Sequence, residues 1–267
     1  MRPAPEQLES LSPNERFTFE LGDFLARPAL TPVGSAYTTA VMGALIWSCG
    51  GNRMEIEGLE NVARFGKSDS FLVVANHRSF FDFFVISYVL YFNTGVSRRM
   101  LYPTRSTFFY DHPVGTAMNM AMSAGRMFPP ILRDQKKRDF NKYSLERCID
   151  ELRRPRESGE PGTVLCVHPE GTRSKGDDPL AFLPAQPGAG RIALAAPVTI
   201  PVFVLGMSNS LGTEFVWNWT NPRPHKIAVR FGAPIDFSDL QPKAGTLRAQ
   251  KLAADRCMSE IAILARR

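Results

Sequence analysis

The segment Asn76-His77-Arg78-Ser79-Phe80-Phe81-Asp82 sets an imidazole and a carboxylate five residues apart. It follows the apolar run Phe71-Leu72-Val73-Val74-Ala75 and opens a second, Phe83-Phe84-Val85-Ile86. The pair therefore sits where a predicted strand turns into a predicted helix. An imidazole held by a carboxylate is a general base that activates a hydroxyl group. Residues five apart in one helix point about 140° away from each other. His77 and Asp82 can meet only if His77 lies in the turn and Asp82 in the first helical turn. Ser79-x-x-Asp82 is also a capping-box pattern, which would hold Asp82 at the helix start with or without any chemistry. A second polar cluster, His168-Pro169-Glu170-Gly171-Thr172-Arg173-Ser174, ends the apolar run Thr163-Val164-Leu165-Cys166-Val167. Two polar clusters on two strand ends are the usual makings of an α/β site.

Asn76-His77-x-Ser79-x-x-Asp82 and Pro169-Glu170-Gly171-Thr172-Arg173-Ser174 resemble the first and third signature blocks of the lysophospholipid and glycerol-3-phosphate acyltransferases, most of all the 1-acylglycerol-3-phosphate group. Ala196-Pro197-Val198-Thr199-Ile200-Pro201-Val202 resembles their fourth block, and Phe231-Gly232-Ala233-Pro234-Ile235 the glycine-proline turn beyond it. The resemblance runs over residues 54–236, and its specific part is the order and spacing of the first and third blocks. It implies transfer of a fatty acyl chain from acyl-CoA or acyl-carrier protein to a lysolipid hydroxyl. His77 would be the base and Asp82 its orienting partner, with no covalent acyl-enzyme, metal or cofactor. Backbone N–H groups at the helix start would hold the thioester oxyanion. Glu170, Gly171 and Thr172 would meet the acceptor's polar backbone, and Arg173 its phosphate, with Arg133 and Arg99 as further candidates.

Two departures bear on the acceptor. Gly125-Arg126-Met127-Phe128 fits the second block, but the arginine that should follow closely is displaced to Arg133. The segment Phe182-Leu183-Pro184-Ala185-Gln186-Pro187-Gly188 lacks the lysine common there. The acceptor is therefore open between 1-acylglycerol-3-phosphate and another lysolipid, such as a lyso-ornithine lipid or a glycolipid. A reading of another class is a non-catalytic, membrane-bound lipid-binding protein, against which the intact His77, Asp82 and Glu170 argue.

The elements that must position these residues follow from pattern. Strands are expected at 54–58, 70–75, 98–103, 163–168, 198–204 and 226–231. Helices are expected at 35–49, 80–92, 113–124, 135–154, 188–196 and from about Thr246, with residues 1–33 a short helix plus loop. Such alternation predicts an α/β fold with a mixed, largely parallel central sheet flanked by helices. Residues 1–50 read as an N-terminal segment with a candidate interfacial helix, and 51–267 as the acyltransferase domain. The net charge of +6 suits phosphorylated substrates or an anionic membrane surface. No basic stripe interleaved with aromatics marks a nucleic-acid surface, so none is expected as partner. The four cysteines are widely spaced and suggest neither a zinc site nor a disulfide framework. Ala36 to Trp47 is short for a span, and reads as an interfacial helix with Tyr37 and Trp47 at headgroup depth, or as a core helix. The expected location is peripheral or monotopic, on the cytoplasmic face of a membrane.

Overall fold

The computed structural model describes residues 2–105 and 108–267. Among them, six strands form one sheet in the order β1-β6-β5-β2-β4-β3. They are β1 (Met54–Glu57), β2 (Phe71–Ala75), β3 (Met100–Leu101), β4 (Val164–Val167), β5 (Thr199–Leu205) and β6 (Ile227–Phe231). All neighbours run parallel except β5 and β6. The sheet is thus mixed and largely parallel, as the pattern predicts. β2 and β4 are buried at every position, which is why they read as unbroken apolar runs rather than alternating ones.

The helices are α1 (Pro5–Glu9), α2 (Pro13–Leu25), α3 (Thr31–Gly50), α4 (Glu60–Ala63), α5 (Asp82–Asn93), α6 (Phe108–Asp111), α7 (Pro113–Ser123), α8 (Arg138–Arg153), α9 (Pro187–Ala195), α10 (Leu211–Thr220) and α11 (Leu247–Ala265). α11 lies so close to α9 that a Cβ on Gly190 would meet the Gln250 carbonyl oxygen at 1.8 Å, so only glycine fits there.

Besides the unexpected α4, α6 and α10, the structure departs from expectation at three places. Residues 1–33 are mostly helical. Ser12 caps α2 by accepting from the Glu15 N–H at 3.3 Å, while the Glu15 carboxylate accepts from the Ser12 N–H at 2.8 Å. The strand expected at 98–103 shrinks to two residues, because the Tyr102 N–H leaves the sheet for the Arg126 carbonyl at 2.8 Å and Pro103 has no N–H. α3 is a twenty-residue helix, longer than expected. At 1.5 Å per residue that is about 30 Å, the thickness of a hydrocarbon core. Pro28–Arg53 is long and apolar enough to cross a membrane by length and composition alone.

Candidate active site

β2 and β4 are parallel neighbours, with Val74 opposite Val167. Their carboxyl ends therefore deliver His77 and the Glu170 turn to the same edge, where open α/β sheets bind ligands. Asn76, fully buried, fixes the exit from β2. Its side-chain amide donates to the Val204 carbonyl and accepts from the Val204 N–H, both at 2.8 Å. The two clusters are then tied to each other. The His77 N–H donates to Glu170 Oε2 at 2.6 Å, the Ser174 N–H donates to the His77 carbonyl at 2.9 Å, and the Arg78 guanidinium donates to Ser174 Oγ and the Gly176 carbonyl.

His77 lies in the turn and Asp82 is the first residue of α5, the one arrangement that lets them meet. Asp82 Oδ2 accepts from the N–H groups of Arg78 and Ser79, both at 2.8 Å, and lies 3.1 Å from His77 Nδ1. The carboxylate thus caps the turn and orients the ring at once. Holding Nδ1–H, it leaves Nε2 as the ring nitrogen for a substrate proton. Burial pushes the Asp82 carboxyl up to about 7, against the two backbone donors and the charge of Arg173. Burial, and then Arg173, pushes the His77 imidazole down to about 3, so it is neutral at physiological pH.

His168 belongs to the same site. Its ring stacks on His77 at 3.7 Å between centroids and 7° between planes, and on Phe83 at 3.7 Å on its other face. Its Nδ1 lies 2.9 Å from the Ala75 carbonyl, which can only accept. Nε2 is therefore a bare lone pair, and it is buried with no partner among the described residues. Burial holds this ring well below its ordinary pKa, so it too is neutral. A neutral ring sandwiched this way fixes the plane of the His77 imidazole.

The ligand atoms of His77, Asp82 and His168 come within 4.8 Å of one another, close enough to suggest a metal. The donor set does not fit one. Imidazole lone pairs lie in the ring plane, and these two rings are parallel, so their lone pairs do not converge on one ion. Both His77 Nδ1 and Asp82 Oδ2 are already hydrogen-bonded to each other.

A cavity of about 280 Å³ opens above the pair, bordered by His77, Phe80, Phe84, Phe109 and Met127 and by Gly171, Thr172, Arg173 and Lys175. Arg105 and Arg133 line it as well. Pairing of Thr104 with Pro130, and the Ile131 N–H bonded to the Thr104 carbonyl at 3.0 Å, bring those two arginines together. Arg133 thus lines the cavity despite its displacement in sequence. Arg173 is held by Asn209, whose Oδ1 accepts from the guanidinium at 2.7 Å and from the Phe80 N–H at 2.8 Å.

Three expected contacts fall elsewhere. Arg99 does not line the cavity; it is buried behind β3, donating to Glu151 and the Ala26 carbonyl at 2.8 Å and to Thr163. Glu170 is 2% exposed, and both oxygens are taken, by the N–H of His77 and of Leu183. It braces the His77 turn and presents no free oxygen to an acceptor. The helix-start amides are also engaged: those of Arg78 and Ser79 with Asp82, that of Phe80 with Asn209 and that of Phe81 with Ser79 Oγ. They are not available to an oxyanion. Asn209, Arg105 and Lys175 are not among the expected site residues, and His168 is expected only as part of the polar cluster that ends β4. Asn209 had one signal: the polar run Met207-Ser208-Asn209-Ser210 ends a third apolar strand.

A mixed, largely parallel α/β sheet carries a His–Asp pair at its carboxyl edge, opening on a cavity lined by apolar and cationic side chains. Residues 53–207, more than half of the chain, match the Acyltransferase family, and the chain belongs to it. It is an acyltransferase. A comparison with curated proteins returned no match.

Proposed function

We propose that the chain moves a fatty acyl group from an acyl thioester, acyl-CoA or acyl-carrier protein, to the hydroxyl of a lysophospholipid, with 1-acylglycerol-3-phosphate as the best acceptor. One observation carries this: the cavity that the His77 ring lines is bordered both by phenylalanines and by the cations Arg173 and Lys175. An acceptor with an acyl chain and a phosphate matches both kinds of lining. His77 Nε2 takes the hydroxyl proton as the oxygen attacks the thioester carbonyl. Asp82 stabilises the imidazolium that forms, the logic of a triad whose nucleophile is the substrate. The thioester oxygen is left to the β4 side, where the Thr172 N–H has no partner among the described residues. Collapse of the intermediate breaks the C–S bond and expels the thiolate, which takes the proton from the His77 imidazolium.

Attachment to an anionic membrane surface supplies such substrates. Val33, Tyr37, Val41 and Trp47 are exposed along α3, and Trp47 meets Trp219 of α10 edge to face. Aromatic rings at an apolar surface suit the headgroup layer. Transfer of a labelled palmitoyl group from palmitoyl-CoA to a panel of lysolipids is the test. Lysophosphatidic acid should lead. Preference for an uncharged monoacylglycerol, a lyso-ornithine lipid or a glycolipid would remove the phosphate from the reading, and lipid binding without transfer to any acceptor would remove the enzyme mechanism.

A further inference from the structure

A second cavity holds cations for which the chemistry above has no use. It measures about 610 Å³ and shares Arg105, Arg133, His168 and Gly171 with the first, so the two meet beside the ring that stacks on His77. Arg105, Arg133 and Arg138 stand around it against one carboxylate, Asp134, whose Oδ1 is taken by the Lys136 N–H at 2.9 Å. None of the three guanidiniums has a hydrogen-bond or ion-pair partner among the described residues. Most other arginines near the sheet are paired: Arg99 with Glu151, Arg154 with Glu160, Arg53 with Glu214. Three unpaired guanidiniums facing one space repel each other until an anion fills it. Their planar forks match phosphate oxygens. The first turn of α9, from Gln186 to Ala189, forms part of the wall and adds to the same positive potential. The remaining wall is apolar, with Ile131, Leu145 and Ile192.

We propose that this second cavity binds the phosphopantetheine arm of the donor, its phosphate on Arg133, Arg138 and Arg105. The arm's gem-dimethyl group lies on Leu145 and Ile192. This rests on the thioester reading above and deepens it: acceptor and donor occupy separate cavities and meet at the His77 ring. The junction is kept open by Gly171. A Cβ there would meet Gln186 at 3.0 Å and an Arg105 nitrogen at 3.3 Å, and its φ of +68° is the left-handed region that favours glycine. Arg138 is the discriminating residue, because it lines only the donor cavity, whereas Arg105 and Arg133 touch both.

The test is Arg138→Ala in the full chain, with Arg138→Lys as the conservative partner and circular dichroism to check the fold. Two readouts are taken. One is steady-state kinetics with palmitoyl-CoA, palmitoyl-acyl-carrier protein and palmitoyl-N-acetylcysteamine, a thioester without phosphate. The other is calorimetric binding of 4′-phosphopantetheine and of pantetheine without turnover. Losing a charged contact to phosphate should raise the donor KM by about 10- to 100-fold with both natural donors. The preference for them over the phosphate-free thioester should fall by the same factor, and Lys should restore part of it. Phosphopantetheine binding should weaken and pantetheine binding should not. A KM effect on the acceptor instead of the donor overturns the assignment. An effect with palmitoyl-CoA alone also overturns it, by placing the nucleotide phosphates there rather than the shared arm. Wild-type binding of phosphopantetheine without transfer from any thioester would sink the functional reading and leave the cavity's ligand standing. Turnover of all three thioesters unaffected by the substitution would sink the cavity alone.

Discussion

Replacing Asp82 by asparagine separates its two tasks. In the native turn Oδ2 accepts from two backbone N–H groups at 2.8 Å and faces His77 Nδ1 at 3.1 Å. An asparagine oxygen can still accept from both amides, so the turn survives. What is lost is the negative charge opposite the imidazolium that forms when His77 takes the proton. Unit charges at that separation attract by about 5 kcal/mol at an effective dielectric of about 20, which is an upper bound. At about 1.4 kcal/mol per decade, kcat should fall by about 10³- to 10⁴-fold. Asp82→Ala should behave differently. It strands the buried Ser79 N–H, at about 1–3 kcal/mol, and the half-buried Arg78 N–H, which water can partly satisfy, and so destabilises the fold by at least about 1–3 kcal/mol. Initial rates of palmitoyl transfer, alongside thermal unfolding of each variant, make the comparison. An Asp82→Asn protein with native Tm and more than about a tenth of wild-type kcat would refute the orienting role.

Other consequences are as direct. The transfer rate should rise with pH through about 7, because burial holds the Asp82 carboxyl that high and only its ionised form stabilises the imidazolium; His77, pushed down to about 3, adds no limb. A profile that keeps the same rise in Asp82→Asn would assign it to another group. Arg173→Ala should raise the acceptor KM or lower kcat/KM by about 10- to 100-fold for lysophosphatidic acid and little for monoacylglycerol, with Arg173→Lys recovering only part. Equal losses with both acceptors would make it structural. Replacing Trp47 and Trp219 with serine should weaken co-sedimentation with anionic vesicles, most visibly at high salt where charge attraction is screened; unchanged sedimentation would place the membrane surface elsewhere.

Much of the sheet was legible because its central strands are short apolar runs bounded by turn residues, as at Phe71–Ala75 and Val164–Val167. Local pattern also placed His77 and Asp82, since the strand-turn-helix junction admits only one way for them to meet. Less was legible where a partner distant in sequence decides. Arg99 reads like any other basic residue until Glu151, 52 positions away, is seen beside it in the core. Glu170 looks like an exposed turn acid, yet its oxygens serve amides 93 and 13 residues away. His168 gave no periodic signal for its place between His77 and Phe83. α10 is absent from the sequence pattern, although Ser210 caps it by accepting from the Thr213 N–H at 3.3 Å, because the turn-like polar run before it masks the start. α2 carried a full capping box, Ser12 with Glu15, that the proline-bearing context obscured.

The measurement that bears most directly on the mechanism is a single-turnover rapid-quench experiment on wild type and His77→Ala, with excess enzyme over palmitoyl-CoA and saturating lysophosphatidic acid. If the His77 ring nitrogen takes the hydroxyl proton, the chemical step should slow by about 10²- to 10⁴-fold in the variant while vesicle binding and Tm stay native. No palmitoyl group should appear on the protein by intact mass in either form. A variant that transfers at near the wild-type rate, or a wild-type enzyme that accumulates a covalent palmitoyl adduct, would contradict it.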